Sequence, residues 1–97
     1  MYKLLYIKPS TRKDKKFMAK FINTESCREK TTHFGAKGMS DFTIHKDPKR
    51  KQRYINRHIV RENWEDPTSA GALSRWILWN KPTLKKSIES YKKMFNL

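Results

Sequence analysis

Acidic residues are scarce in this sequence. Nine Asp and Glu stand against 23 Lys and Arg, for a formal net charge of +14. Carboxylates are therefore too few to neutralise the chain's own cations. An imbalance of this size speaks about partners and solubility rather than about fold. Cysteine is scarcer still. Cys27 is alone, so no disulfide can close within the chain, and the CxxC pairs of common zinc sites are missing. A single thiol fits a reducing compartment. Long hydrophobic runs are also missing: no segment approaches the length needed to span a bilayer. The apolar run in MYKLLYIKPS is too short for a secretory signal. Repeats and low-complexity tails are absent, and the cations spread over the whole chain rather than forming a basic arm.

What the chain does have is aromatic residues. Trp64, Trp76 and Trp79, four tyrosines and five phenylalanines can build a core that the modest aliphatic content would not. At 97 residues the length fits one small domain. A chain of this size buries about 60–65% of the surface exposed by its unfolded form, enough for marginal stability.

The first part, residues 1–44, reads as strands. Residues 3–8, 17–22 and 30–34 are the three candidates, separated by the polar connectors TRKDKK and NTESCRE. In the second, Phe17, Ala19 and Phe21 alternate with Met18, Lys20 and Ile22. Short polar connections favour an antiparallel meander. Gly35 and Gly38 end the third strand. Met39, Phe42 and Ile44 follow in an irregular segment that would lay apolar side chains across the sheet. The second part, residues 45–97, reads as helices. Asp47 is an N-cap and Pro48 suits the first helical position, which starts a helix running to about Arg61 or Glu62. Thr68 or Ser69 caps a second helix, whose small Ala70, Gly71 and Ala72 precede Trp76, Ile77, Leu78 and Trp79. Apolar residues on more than one face predict a central position. Asn80 and Pro82 end it. Thr83 caps a third helix, with Leu84, Ile88, Tyr91 and Phe95 at helical spacing and Lys85, Glu89 and Lys93 on the outer face. The predicted fold is α+β: a small antiparallel sheet of about three strands followed by three helices.

The stretch HKDPKRKQRYINRH carries the functional signal. At about 100° per residue, Lys46, Lys49, Arg50, Arg53, Arg57 and Arg61 fall within one arc of roughly 120°. Tyr54, Ile55, His58 and Ile59 are expected on the inward side. Ordinary solvated helix faces mix both signs, because like charges four apart repel by about 0.2–0.5 kcal/mol per pair. The ladder Arg53, Arg57, Arg61 therefore points to an external anion, unless Glu62, Glu65 or Asp66 quenches its end. Arginine forks match phosphate oxygens, and neutralising phosphates releases counterions. Phosphate contacts carry no base information, so the expected binding is sequence-independent. Pro48 to Arg53 also has the composition of a nuclear-import cluster.

Other constellations are weaker. Gly35-Ala36-Lys37-Gly38 has the spacing of the GXXG loop of KH domains but follows a strand, so its glycines read as backbone devices and Lys37 as an added phosphate contact. Arg12, Lys13, Lys15 and Lys16 add further charge. His33, His45, His58 and Cys27 match no familiar zinc spacing, and neither a metal nor a cofactor is expected. Tyr2, Tyr6, Phe17 and Phe21 could stack bases, but alternating strand aromatics are more often core. Ser40, Asp41, His45 and Asp47 read as caps and turn formers rather than as a hydrolytic cluster. The chain is not expected to be an enzyme.

The ordered run Phe34-Gly35, Gly38, Asp41-Phe42-Thr43, His45, Asp47, Tyr54, Arg57-His58, Trp64, Asp66-Pro67-Thr68-Ser69-Ala70-Gly71, Ser74-Arg75-Trp76, Leu78-Trp79-Asn80, Pro82-Thr83 and Ile88 resembles a family of small basic proteins of unassigned function encoded by large nucleocytoplasmic DNA viruses. The resemblance implies a viral origin and a virion or intracellular location in an infected host, the nucleus included. It supplies no catalytic residues. The leading expectation is non-enzymatic binding of nucleic acid, DNA first, in genome packaging. The alternative is a minor capsid or cement protein meeting acidic capsid proteins or a membrane surface. A metal-dependent nuclease using Asp41 and His45 is a third.

Overall fold

A computed structural model describes residues 1–97. The chain forms strands β1 (Tyr2–Pro9), β2 (Lys15–Asn23) and β3 (Glu29–Ala36), paired antiparallel in the order β1-β2-β3. Helices follow: α1 (Phe42–His45), α2 (Pro48–His58), α3 (Ala70–Leu73) and α4 (Leu84–Met94). The expected α+β architecture is what forms. The helical part is richer than expected. The segment after the third strand is not irregular but contains α1. It buries Phe42 and leaves Met39 and Ile44 mostly exposed, at 66% and 61%.

The sheet is asymmetric. Phe17, Ala19 and Phe21 of β2 face the helices, together with Phe34 of β3. Leu5 is an extra residue in β1: Leu4 pairs with Phe21, whereas Tyr6 pairs with Lys20. This bulge turns Leu4 and Ile7 to the core and sends Tyr6 to the opposite face, where Lys8 sits 4.3 Å from its ring centroid. Strict alternation would have put Leu4 and Tyr6 on one face.

The second helix is central, as its all-round apolar pattern predicts. Ala72, Leu73, Ile77 and Leu78 are buried against the sheet and α4. Burying a side chain of the Leu or Phe class contributes about 1.5–3 kcal/mol. Its winding changes after Leu73: Ser74–Leu78 is π-helical, and the Trp79 N–H donates to the Ser74 carbonyl. The wider turn brings Leu78 back toward the line of Leu73 and Ile77, directly over Gly35. The carbonyls at its end are capped by cations: Arg75 donates to Trp79 O and Lys51 to Asn80 O, each at 2.8 Å. Both cations are partly buried without a salt-bridge partner, and burial lowers the pKa of each. Arg75 lies over the Trp76 ring at 4.3 Å, which substitutes for the missing carboxylate.

Caps close the remaining ends. Asp47 accepts from Lys49 N, Ser69 from Ala72 N and Thr83 from Lys86 N. Ser69, rather than Thr68, is thus the cap of α3. Thr68 instead ties the loop to β3. Its hydroxyl donates to Asp66 and accepts from Lys30, and its carbonyl accepts from Thr32. Lys85, Glu89 and Lys93, spaced four apart on α4, form no ion pair. No helix is long and apolar enough to cross a membrane.

Candidate nucleic-acid interface

Helix α2 is held to the body by an aromatic seam and by Lys51, which lies over the Phe42 ring and donates to Asn80 O. Tyr54 is the helix's only buried residue. The Tyr54 ring stacks on Trp79 at 4.4 Å, with planes 4° apart, and on its other neighbour His58 at 4.3 Å. Burial is the main reason the Tyr54 hydroxyl titrates well above its ordinary range. His58 Nδ1 donates to Glu62 Oε1, and Glu62 Oε2 accepts from the Trp64 indole. The inward histidine expected on this helix is therefore a packed, hydrogen-bonded one.

The seam decides where the arginines point. At about 100° per residue, Arg50 and Arg57 lie only roughly 40–60° from Tyr54, and Arg53 about 100°. The basic arc is thus beside the buried line rather than opposite it. Ile59, expected inward, is 56% exposed. Arg50, Arg53 and Arg57 form one wall of a cavity of about 390 Å³, together with Asn56. Met39, Ser40 and Trp79 complete its lining, and no acid is present. A second cavity of about 410 Å³ shares Met39, Ser40, Arg57 and Trp79 with the first and reaches Lys15 and Lys16 of β2. The two adjoin at these shared residues and are together termed the trench, lined by cations from α2 and from the sheet.

The other expected contacts take different places. Lys49 is on α2 and exposed, but lies toward its crest. Lys46 is not on α2: it ends α1 in the left-handed conformation, with φ 54°, and its ammonium donates to Thr43 O. Arg61 is also off the helix, because regular winding stops at His58 and Arg61 lies in the following turn. Lys37 is exposed but lines neither cavity. Gly35 and Gly38 adopt φ of +79° and +89°, so this glycine pair is a backbone device. Lys16 is not free charge. Its ammonium meets Asp41 Oδ2 at 2.6 Å, with side chains 14% and 3% exposed. Arg12 pairs with Asp14.

No acid pairs with Lys46, Lys49, Arg50, Arg53, Arg57 or Arg61 within 4 Å. Of the three carboxylates that could quench the end of the ladder, Glu65 is exposed and pairs with none of its arginines, and the other two are occupied elsewhere. Glu62 is held by His58 and Trp64, and Asp66 by Thr68. Two acids line the larger cavity. Of these, Asp41 is fixed by Lys16 and by the backbone and hydroxyl of Thr43, and Glu62 is fixed as described.

His45 Nδ1 accepts from Asp47 N, and its buried Nε2 has no partner. Burial, then the nearby Arg50, lowers its pKa, so the ring is neutral near pH 7. His33 shares a hydrogen bond with Ser10. No group of three or more His, Cys, Asp or Glu is placed to hold a metal ion.

A family model matches residues 5–58, more than half of the chain. The chain belongs to this family of unknown function, DUF5754. The DUF5754 match runs from β1 to the end of α2, so it contains the sheet, the Met39–Ser40 rim and every arginine of the trench. Trp79, which completes the trench, lies outside it. No curated protein and no solved structure matches the chain significantly.

Proposed function

We propose that this protein binds nucleic acid through phosphate contacts, without catalysing a reaction on it. One observation carries the reading: Arg50, Arg53 and Arg57 line a single open wall, and no carboxylate of the chain pairs with them. Free arginines aligned on a rigid helix fit phosphate oxygens through paired N–H donors. Lys46, Lys49 and Arg61 are exposed cations outside the wall, and the +14 charge supports attraction of a polyanion over distance. The contacts are to backbone, so binding is independent of sequence. The resemblance to viral basic proteins supports a role in packaging a genome within a virion.

Asp41 and His45, the residues a metal-dependent nuclease would need, are both used by the fold as a helix cap and as an acceptor for Asp47 N. The test is equilibrium binding to duplex DNA at several salt concentrations. Neutralising about five phosphates gives a slope of log affinity against log salt of about −4 to −5. Affinity no greater than that of an unrelated protein of charge +14 would refute the reading and favour a capsid or cement protein.

A further inference from the structure

We infer that the trench between α2 and the Met39–Ser40 rim takes a single strand of nucleic acid, DNA or RNA, in preference to a duplex. This inference rests on the phosphate-binding reading and narrows it. The arginines are not on the crest of α2. They flank the buried Tyr54 seam and line the trench together with Asn56, whose side chain bonds to Gln52. A duplex is a stiff rod whose phosphates lie on its outside, and it meets a crest more readily than a slot. A single strand bends freely and can lower its phosphates between two walls.

The dimensions suit it. Each half of the trench, at about 390 and 410 Å³, falls within the range of sites that hold one small organic group. The halves join at Ser40 and Arg57, so consecutive nucleotides can occupy them in turn. Cations stand at both ends: Arg50 and Arg53 at one, Lys15 at the other. The two acids of the lining, Asp41 and Glu62, already have partners. Trp79 lines the floor, but its ring is already stacked on Tyr54. The bases therefore gain no stacking platform there and the strand is held by its backbone, as in sequence-tolerant single-strand binders that track phosphates along a basic groove.

The test compares fluorescently labelled single-stranded DNA, RNA and duplex DNA of about 15 nucleotides, a length covering one such site. The wild type is expected to bind the single strands about tenfold more tightly than the duplex at moderate salt, with a salt slope near −3 if about four phosphates are neutralised. Ser40→Trp plugs the junction of the two cavities without changing charge. Ser40 is half-buried and its hydroxyl bonds to nothing in the protein, so the fold should tolerate the change, which circular dichroism checks. This variant is expected to lose the single-strand preference. Arg57→Gln, an exposed and unpaired position, should flatten the single-strand slope by about 0.7. Equal or tighter duplex binding by the wild type overturns the inference and leaves the phosphate-binding reading standing. Indifference of single-strand binding to both substitutions does the same. Failure of every nucleic acid to bind above the charge-matched control overturns both.

Discussion

Replacing Gly35 by alanine tests how the helical layer is seated on the sheet. Gly35 has φ +79°, and a Cβ built there would lie 2.7 Å from Leu78 Cδ1. Two penalties add. A left-handed backbone with a side chain costs about 1–2 kcal/mol. Forcing an extra methyl against a well-packed leucine costs about 1–3 kcal/mol more. Gly38 is the internal control. Its φ is +89°, but an added Cβ meets nothing within 4 Å. Gly38→Ala should therefore show the backbone penalty alone. The difference between the two variants isolates the contact with Leu78, at about 1–3 kcal/mol. For a domain of this size each kcal/mol lowers the melting temperature by about 4–8 °C. Urea and thermal unfolding, followed by tryptophan fluorescence and circular dichroism, measure both. Equal destabilisation by the two substitutions would refute the argument, because it would mean that the π-helical segment does not press on β3 at Gly35. Both Gly35 and Leu78 line the trench, so the measurement also reports on the rigidity of its floor.

Other consequences are as specific. Asp41→Ala leaves the ammonium of Lys16 buried without its partner and removes the cap of α1, so denaturant titration should show a loss of about 3–5 kcal/mol; the double variant with Lys16→Met should recover part of it. Asp66 has its pKa lowered, first by the Thr68 backbone N–H and also by the Thr68 hydroxyl, with partial burial opposing them. Its folded pKa lies below the unfolded one, so its stabilisation is present above about pH 4 and is lost as pH falls through the folded value. The gap between the wild type and Asp66→Ala should therefore close in acid, and a gap that stays constant down to pH 2 would contradict the assignment. Arg75→Ala uncaps Trp79 O and removes the cation over Trp76, with an expected loss of about 1–3 kcal/mol in thermal unfolding.

Much of the fold is legible where one residue has one physical job. Asp47 followed by Pro48 marks the start of α2, and Thr83 marks that of α4. Phe17, Ala19 and Phe21 alternate onto the core face because β2 is regular along their length. What escapes local reading depends on distant partners. The bulge at Leu5 is set by pairing with β2, and without it Tyr6 cannot be placed on the open face. The π-helical turn answers to Gly35 on another element. Regular winding of α2 ends at His58, which leaves Arg61 in the turn that follows. The basic character of residues 46–61 is plain in the sequence. Its orientation is not, because a wheel drawn for an isolated helix cannot say that Tyr54 is the residue of α2 that is buried. Once Tyr54 is fixed on Trp79, the arginines become a wall instead of a crest.

The most direct test of the account replaces Arg50, Arg53 and Arg57 together by glutamine and measures affinity for a single strand across a range of salt. If these arginines are the phosphate contacts, affinity falls and the slope of log affinity against log salt flattens by about 2, at about 0.7 per lost contact. An unchanged slope in the folded triple variant would contradict the account, because the remaining 20 basic residues of the 23 would then suffice without the wall.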